Sequence, residues 1–143
     1  MSLFDTMTIA STSLTAQSTK LNTIAKNMAN ANTVASSPEE TYTAQAPLFR
    51  AILDGQIDPN DLSQMGVQVE DIVEVGGPAR QEFNPAHPLA DENGYIYKPD
   101  IDASTEMAEM MQASRSYQNS VEAINTAKQL ALRTLTLGKL SYD

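Results

Sequence analysis

Cysteine is absent from the sequence, which excludes disulfides, thiolate metal sites and thiol nucleophiles together. Tryptophan is absent too, and three Phe and five Tyr are all the aromatic residues in 143. Seven Met, with Leu and Ile, must therefore fill much of the apolar surface, and Met packs adaptably while specifying geometry poorly. Long apolar runs are missing: nothing approaches the roughly eighteen residues that a membrane-spanning helix requires. The opening stretch MSLFDTMTIASTSLTAQSTK has neither a basic start nor an apolar core, so a cleavable secretory signal is not expected. Basic residues are also few. A net charge of −9 argues against nucleic acid, whose phosphates demand a basic footprint, and against an anionic membrane surface.

The charge is unevenly placed. Residues 1–35 set Asp5 against Lys20 and Lys26, and residues 104–143 balance four acids with four bases. Residues 36–103 carry thirteen acids against only Arg50, Arg80 and Lys98. Because burying charge is costly, the two nearly neutral ends suit packing and the acidic middle suits solvent. This divides the chain into 1–33, 34–103 and 104–143.

The first part reads as a helix. Met7, Leu14, Leu21 and Met28 are spaced by seven, and Leu3, Ala10, Gln17, Ile24 and Ala31 form a second series offset by three. That is the a/d pattern of a coiled-coil seam. Thr and Ser crowd residues 5–13, so the helix is expected to be firm from Leu14 to Ala31, with its beginning ordering on contact. Asn30 to Asn32 mark the stop, since Asn tolerates the left-handed conformation that closes helices. The middle part holds all seven Pro and five of the six Gly, a composition of turns and short strands. Extended segments are expected at Tyr42–Leu53, where Pro47 implies an edge, and at Gly66–Val75, where the alternation slips near Asp71 as at a β-bulge. Arg80–Phe83 and Tyr95–Tyr97 are shorter candidates, joined by the Pro-rich loop Asn84–Gly94.

From Ser104, a good N-cap, to Leu137 no Pro or Gly interrupts, and Gly138 is placed to close a helix about 50 Å long. Met107, Met110, Tyr117, Val121, Ile124 and Leu135 recur along it at threes and fours. Seventy intervening residues are too few to cover such a rod on all sides. The expected fold is mainly α with a small β-containing middle: two long terminal helices in a coiled-coil-like layer, plus an irregular β domain. The expected assembly residues are Leu14, Leu21, Ile24 and Met28 on the first helix. On the second they are Met107, Met110, Tyr117, Val121, Ile124 and Leu135.

The residues that carry chemistry are thin. His87 is the one histidine, set between Ala86 and Pro88, with no Ser in a nucleophile-elbow context to serve a triad. One His without Cys does not make a zinc site. Asp58-Pro59-Asn60-Asp61 begins like a calcium loop but places Leu62 and Ser63 where a ligand and Gly belong; the loop around Asp91–Gly94 fails similarly, with Leu89 on the first ligand position. Glu106 and Glu109 stand at i and i+3 on a helix, with few aromatics to line a cleft around them. No glycine-rich phosphate loop occurs. Neither catalysis nor a cofactor is expected.

The ordered set of segments at both ends and in one loop resembles the flagellar axial proteins, in particular their proximal-rod branch. Ser13–Gln17 followed by Leu21–Thr33 is similar to the axial-protein signature. Asn84–Tyr95 is similar to a loop of that branch, and Glu106-Met107, Ala113–Gln118 and Asn125–Lys128 complete the match. The sequence departs after Tyr42, where Thr43-Ala44-Gln45 replaces the family's basic cluster. The resemblance implies a structural rod subunit of the basal body, exported through the flagellar type III apparatus without a cleaved signal and crossing the periplasm. Implied partners are proximal and distal rod proteins, the basal-body adaptor and copies of itself. On the residues alone, two other readings stay open. One is a soluble interaction module such as a secretion adaptor, which would form a closed oligomer at every concentration. The other is an enzyme or cation-binding protein using the acidic loops, which would show a calcium-dependent thermal shift.

Overall fold

The computed structural model describes residues 3–53 and 65–140. The helix α1 spans Leu3–Asn30, and α2 spans Ala103–Leu140. Between them lie the strands β1 (Gln45–Leu53), β2 (Met65–Glu74), β3 (Arg80–Phe83) and β4 (Tyr95–Lys98). The calcium-like stretch Asp58–Ser63 lies outside the described residues.

The two helices run antiparallel along each other. Asn27 meets Glu106, Lys20 meets Glu109, and Ser13 meets Ser120, so the register descends one chain as it climbs the other. α1 is continuous from Leu3, well before Leu14, and its first turns lie against α2, where Leu3 and Leu130 line one groove. Its threonine hydroxyls find acceptors in the preceding turn: Thr15 donates to the Ser11 carbonyl, Thr19 to that of Thr15 and Thr23 to that of Thr19. The helix ends at Asn30, within the expected Asn-rich stop.

α2 departs from expectation at both ends. Its N-cap is Asp102, not Ser104: the carboxylate accepts from the Ser104 and Thr105 N–H groups and the Thr105 hydroxyl. A carboxylate at this position satisfies orphan amides and complements the helix dipole, which a serine two residues later cannot do. At the other end the helix continues through Gly138 to Leu140, so that glycine does not close it. An isolated helical glycine costs only about 1 kcal/mol, too little to stop a helix with thirty-five residues behind it.

β1 and β2 form an antiparallel ribbon whose register shifts between Leu48 and Phe49, which leaves Glu70 as the extra residue of a bulge one place from Asp71. The bulged Glu70 pairs with Arg50 across the ribbon. The ribbon lies along α1, where the Val67 N–H donates to Thr12 Oγ1 at 3.2 Å. Pro47 sits in β1, one strand of a two-stranded sheet and hence an edge.

The hairpin of β3 and β4 is separate, and is tied to the linker after α1 by paired backbone hydrogen bonds between Ala35 and Tyr97. Ile96 and Tyr97 of β4 are buried, as is Ile101 just after it. The connecting loop is shaped by Asp91, whose carboxylate accepts from the Asn93 and Tyr95 N–H groups and from the Tyr97 hydroxyl. Gly94 turns that loop with φ +82°, and a Cβ there would stand 3.0 Å from the Phe83 ring and 3.1 Å from Pro85. Gly94→Ala is expected to destabilise the protein by about 1–3 kcal/mol through left-handed strain and that crowding, read as a lower midpoint of urea unfolding.

Candidate assembly surface and the junction at Asn27

The seam between α1 and α2 is built from small residues. Ala10 and Ala16 on α1, and Ala113 and Ala127 on α2, are buried, with Ile24 as the one large apolar side chain of the seam buried to the same degree. Ser13 and Ser120 meet across it at 3.1 Å. Small side chains let two helices approach closely, and a helix of 3.6 residues per turn drifts relative to a strict seven-residue repeat. The buried positions therefore run through Ala16, Thr23, Ile24 and Asn27 rather than through Leu14, Leu21 and Met28.

Those three are half-buried, as are Met110, Val121 and Ile124. Met107, Tyr117 and Leu135 are exposed, at 53%, 38% and 67%. Of the ten residues expected to form the assembly surface, Ile24 is committed to the subunit's own core, and the other nine retain accessible surface.

α2 also outruns its partner. α1 begins at Leu3, opposite Leu130, so the ten residues 131–140 project about 15 Å beyond it. Leu132, Leu135 and Leu137 on this overhang are more than half exposed. Leu132 and Leu135, at i and i+3, share one face of the overhang, and large apolar side chains left open side by side suit an interaction surface.

At the opposite end of the hairpin lies a polar junction that no sequence pattern had singled out. Asn27 is 2% exposed and uses its whole hydrogen-bonding capacity. Its Nδ2 donates to the Gln45 carbonyl at 2.9 Å and to Glu106 Oε1 at 3.1 Å; its Oδ1 accepts from the Tyr42 hydroxyl at 2.9 Å and the Gln45 N–H at 3.0 Å. One side chain thus joins α1, the start of β1 and the first turn of α2. The available signal was its spacing three residues after Ile24, which continues the true seam. Burial pushes the Glu106 carboxyl upward, with Glu109 adding to this, while the Asn27 hydrogen bond and Lys20 oppose it. Burial and then Glu106 likewise raise the Tyr42 phenol.

The Glu106 shift carries a sign. A folded-state carboxyl raised above its ordinary 4.5 binds its proton more tightly than in the unfolded chain, so this residue's contribution to stability falls as pH rises from 4.5 through the raised value. Glu106→Gln keeps an acceptor for Asn27 and is expected to flatten that part of the stability–pH curve above pH 4.5, measured by urea unfolding across the acidic-to-neutral range.

The remaining polar features are structural. His87 Nδ1 accepts from the Leu89 N–H at 3.1 Å within the loop, and both Asp91 oxygens are taken by N–H and O–H donors, whose hydrogen bonds hold its carboxyl below the usual range. Among the described residues no three His, Asp or Glu gather closely enough to hold a metal ion, and no helix is long and apolar enough to cross a membrane.

A helical hairpin with an unpartnered apolar overhang and polar groups engaged in holding the fold defines a structural, assembly-type protein. Comparison with known proteins specifies the assembly. Residues 92–137 match the family model described as the C-terminal region of flagellar basal body rod FlgEFG proteins. The chain is 43% identical over 140 residues to the flagellar basal-body rod protein FlgC of Yersinia enterocolitica, and 40% identical over 141 residues to that of Salmonella typhimurium strain LT2. It is 34% identical over 142 residues to the FlgC of Buchnera aphidicola subsp. Schizaphis graminum. In each case 97% of this chain and 100% of the relative are covered. The chain belongs to the FlgC family of flagellar basal-body rod proteins; it is a structural subunit of the flagellar rod and not an enzyme.

Proposed function

We propose that this subunit enters the proximal rod through its terminal helices, which pack with those of neighbouring chains into a coiled-coil-like axial layer. Residues 1–33 and 104–143 form that layer, and the acidic residues 34–103 form a small outer domain. The observation that carries this reading is the apolar surface left open on α2: Met107, Met111, Tyr117, Leu132, Leu135 and Leu137 are exposed on a helix with only one shorter helix to cover it. Leu14, Leu21 and Met28, half-buried in the subunit, complete the surface from α1. Neighbours are proximal and distal rod proteins, the basal-body adaptor and further copies of this chain. Delivery runs through the flagellar type III export apparatus to a rod that crosses the periplasm.

Leu21→Asp tests the reading. The variant is expected to fold, since its site is partly open, and to be missing from purified basal bodies that contain the wild-type chain. Retention of Leu21→Asp in the rod fraction at wild-type level would refute the role given to the helical seam. Absence of the wild type from that fraction would refute the rod placement altogether.

A further inference from the structure

Of the asparagines in the sequence, Asn93 alone is followed by glycine. Asparagine is a thermolabile residue, because the backbone nitrogen that follows it can attack its side-chain amide. Gly94 leaves that nitrogen unshielded, since it carries no side chain. The loop cannot exchange this glycine for a bulkier residue. Its φ is +82°, and a Cβ there would stand 3.0 Å from the Phe83 ring and 3.1 Å from Pro85. Asn93 is exposed, so water reaches its amide and ammonia is free to leave.

The same loop withholds the nucleophile. The Gly94 N–H donates to the Asp91 carbonyl at 3.0 Å, and attack on Asn93 begins with loss of that proton. Ring closure also turns the Asn93 Cα–C bond until the Gly94 nitrogen meets Cγ. Hydrogen bonds pin the chain on both sides of this bond. The Asn93 N–H donates to Asp91 Oδ1 at 2.9 Å, and the Asn84 N–H donates to the Gly94 carbonyl at 2.9 Å. Asp91 is the centre of the set: Oδ1 also accepts from the Tyr95 N–H at 2.8 Å, and Oδ2 from the Tyr97 hydroxyl at 3.0 Å.

We propose that Asn93 is a site of spontaneous isoaspartate formation, closed while the β3–β4 hairpin is folded and open when it is undone. In the open chain the deprotonated Gly94 nitrogen bonds to Asn93 Cγ, and the side-chain nitrogen leaves as ammonia. Water then opens the five-membered imide at one of its two carbonyls. Opening at Cγ gives an aspartate; opening at the main-chain carbonyl gives isoaspartate, whose chain runs through Cβ and Cγ. One water is consumed and one ammonia released, with nothing oxidised or reduced. Isoaspartate lengthens the main chain by a methylene inside the turn. Either product also sets a second carboxylate two residues from Asp91, which its N–H and O–H donors keep ionised at neutral pH. A chain modified while open therefore re-forms the loop poorly, and isoaspartate at position 93 records time spent unfolded.

The test incubates the wild-type protein at neutral pH, folded in buffer and unfolded in guanidinium chloride, and maps peptide masses over time. The unfolded chain is expected to exchange NH2 for OH at Asn93, with isoaspartate among the products when they are separated against synthetic peptides. The folded chain is expected to do so at least about tenfold more slowly, because reaction waits for local opening. Asn93→Gln abolishes the product in both states. Asp91→Ala removes the acceptor shared by Asn93, Tyr95 and Tyr97, and should speed the folded-state reaction severalfold with the helical circular dichroism unchanged. Tyr97→Phe removes one of those bonds and gives a smaller rise, which serves if Asp91→Ala fails to fold. Equal rates in the folded and unfolded wild type would overturn the gating. An Asn93 that stays intact in the unfolded chain, or reacts there more slowly than another asparagine, would overturn the site. Folded variants of Asp91 and Tyr97 as slow as the wild type would overturn the role given to the loop's hydrogen bonds.

Discussion

Asn27→Ala is expected to remove about 3–5 kcal/mol of stability. The substitution deletes four hydrogen bonds at once and leaves the Gln45 N–H and carbonyl, the Tyr42 hydroxyl and the Glu106 carboxylate without their partner. An unsatisfied buried polar group costs roughly 1–3 kcal/mol, and the members of one network are not additive, which keeps the total below the sum. Asn27→Asp separates the causes. It preserves the shape and the acceptor for Tyr42 and Gln45, but replaces the donating Nδ2 with an oxygen facing both the Gln45 carbonyl and Glu106. Two carboxylates then share one site, so one is driven to keep its proton. The folded state binds that proton more tightly than the unfolded chain does, so Asn27→Asp should recover stability as pH falls from 7 towards 4.5. Asn27→Ala removes the hydrogen bond that opposes the upward shift of Glu106, so it should show a smaller recovery, from Glu106 alone. Urea midpoints at pH 7.5 and pH 5 decide the matter. A loss under 1 kcal/mol for Asn27→Ala would mean that the junction does not hold the helices to the ribbon.

Why Asn27 escaped the sequence reading, while so much else did not, has a physical cause. The helices were legible because long periodic segments free of Pro and Gly have few alternatives, and β3 fell on Arg80–Phe83 because Gly76-Gly77-Pro78 and the Asn84–Gly94 loop bracket it. The bulge was visible in the slipped alternation at Asp71, since side chains must alternate along a paired strand and an extra residue breaks the count. What the residues of one chain do not encode by themselves is which of two apolar series faces the partner helix. Large residues such as Leu14, Leu21 and Tyr117 stand out as contact positions and were read as assembly surface, while the interior seam is filled by Ala10, Ala16, Ala113 and Ala127. Closeness of approach decides this, and it depends on both helices at once. The cap of α2 was missed for a similar reason: Asp102 and Ser104 are both acceptable N-caps in isolation, and the fold selects the one whose carboxylate reaches the first amides. An Asn in an Asn-rich helix end reads as a terminator, and only the folding back of Tyr42 and Gln45 onto it turns it into a junction. The same preference for large residues did name Leu135, which the subunit leaves open to solvent.

That exposure leads to the second large effect. Leu132→Asp with Leu135→Asp is expected to abolish incorporation into the rod, and with it swimming, while leaving the free subunit as stable as the wild type. Both side chains lie beyond the reach of α1, at 55% and 67% exposure, so neither removal opens a cavity and neither carboxylate is taken from water. Surface changes of this kind usually alter stability by less than about 0.5 kcal/mol. In an assembled rod the outcome reverses. If neighbouring helices cover this end of α2, each aspartate must be desolvated or exclude the neighbour, and an unpaired buried charge is costly enough to defeat a contact made largely of leucine. The gap between the two measurements is the informative quantity: unchanged urea unfolding beside an empty rod fraction places the leucines at an interface. A variant that unfolds more readily by 2 kcal/mol or more would show that the overhang packs within its own subunit. A variant that is stable and still builds rods would show that the last turns of α2 are not covered, and the open leucine surface would then lack the role its exposure implies.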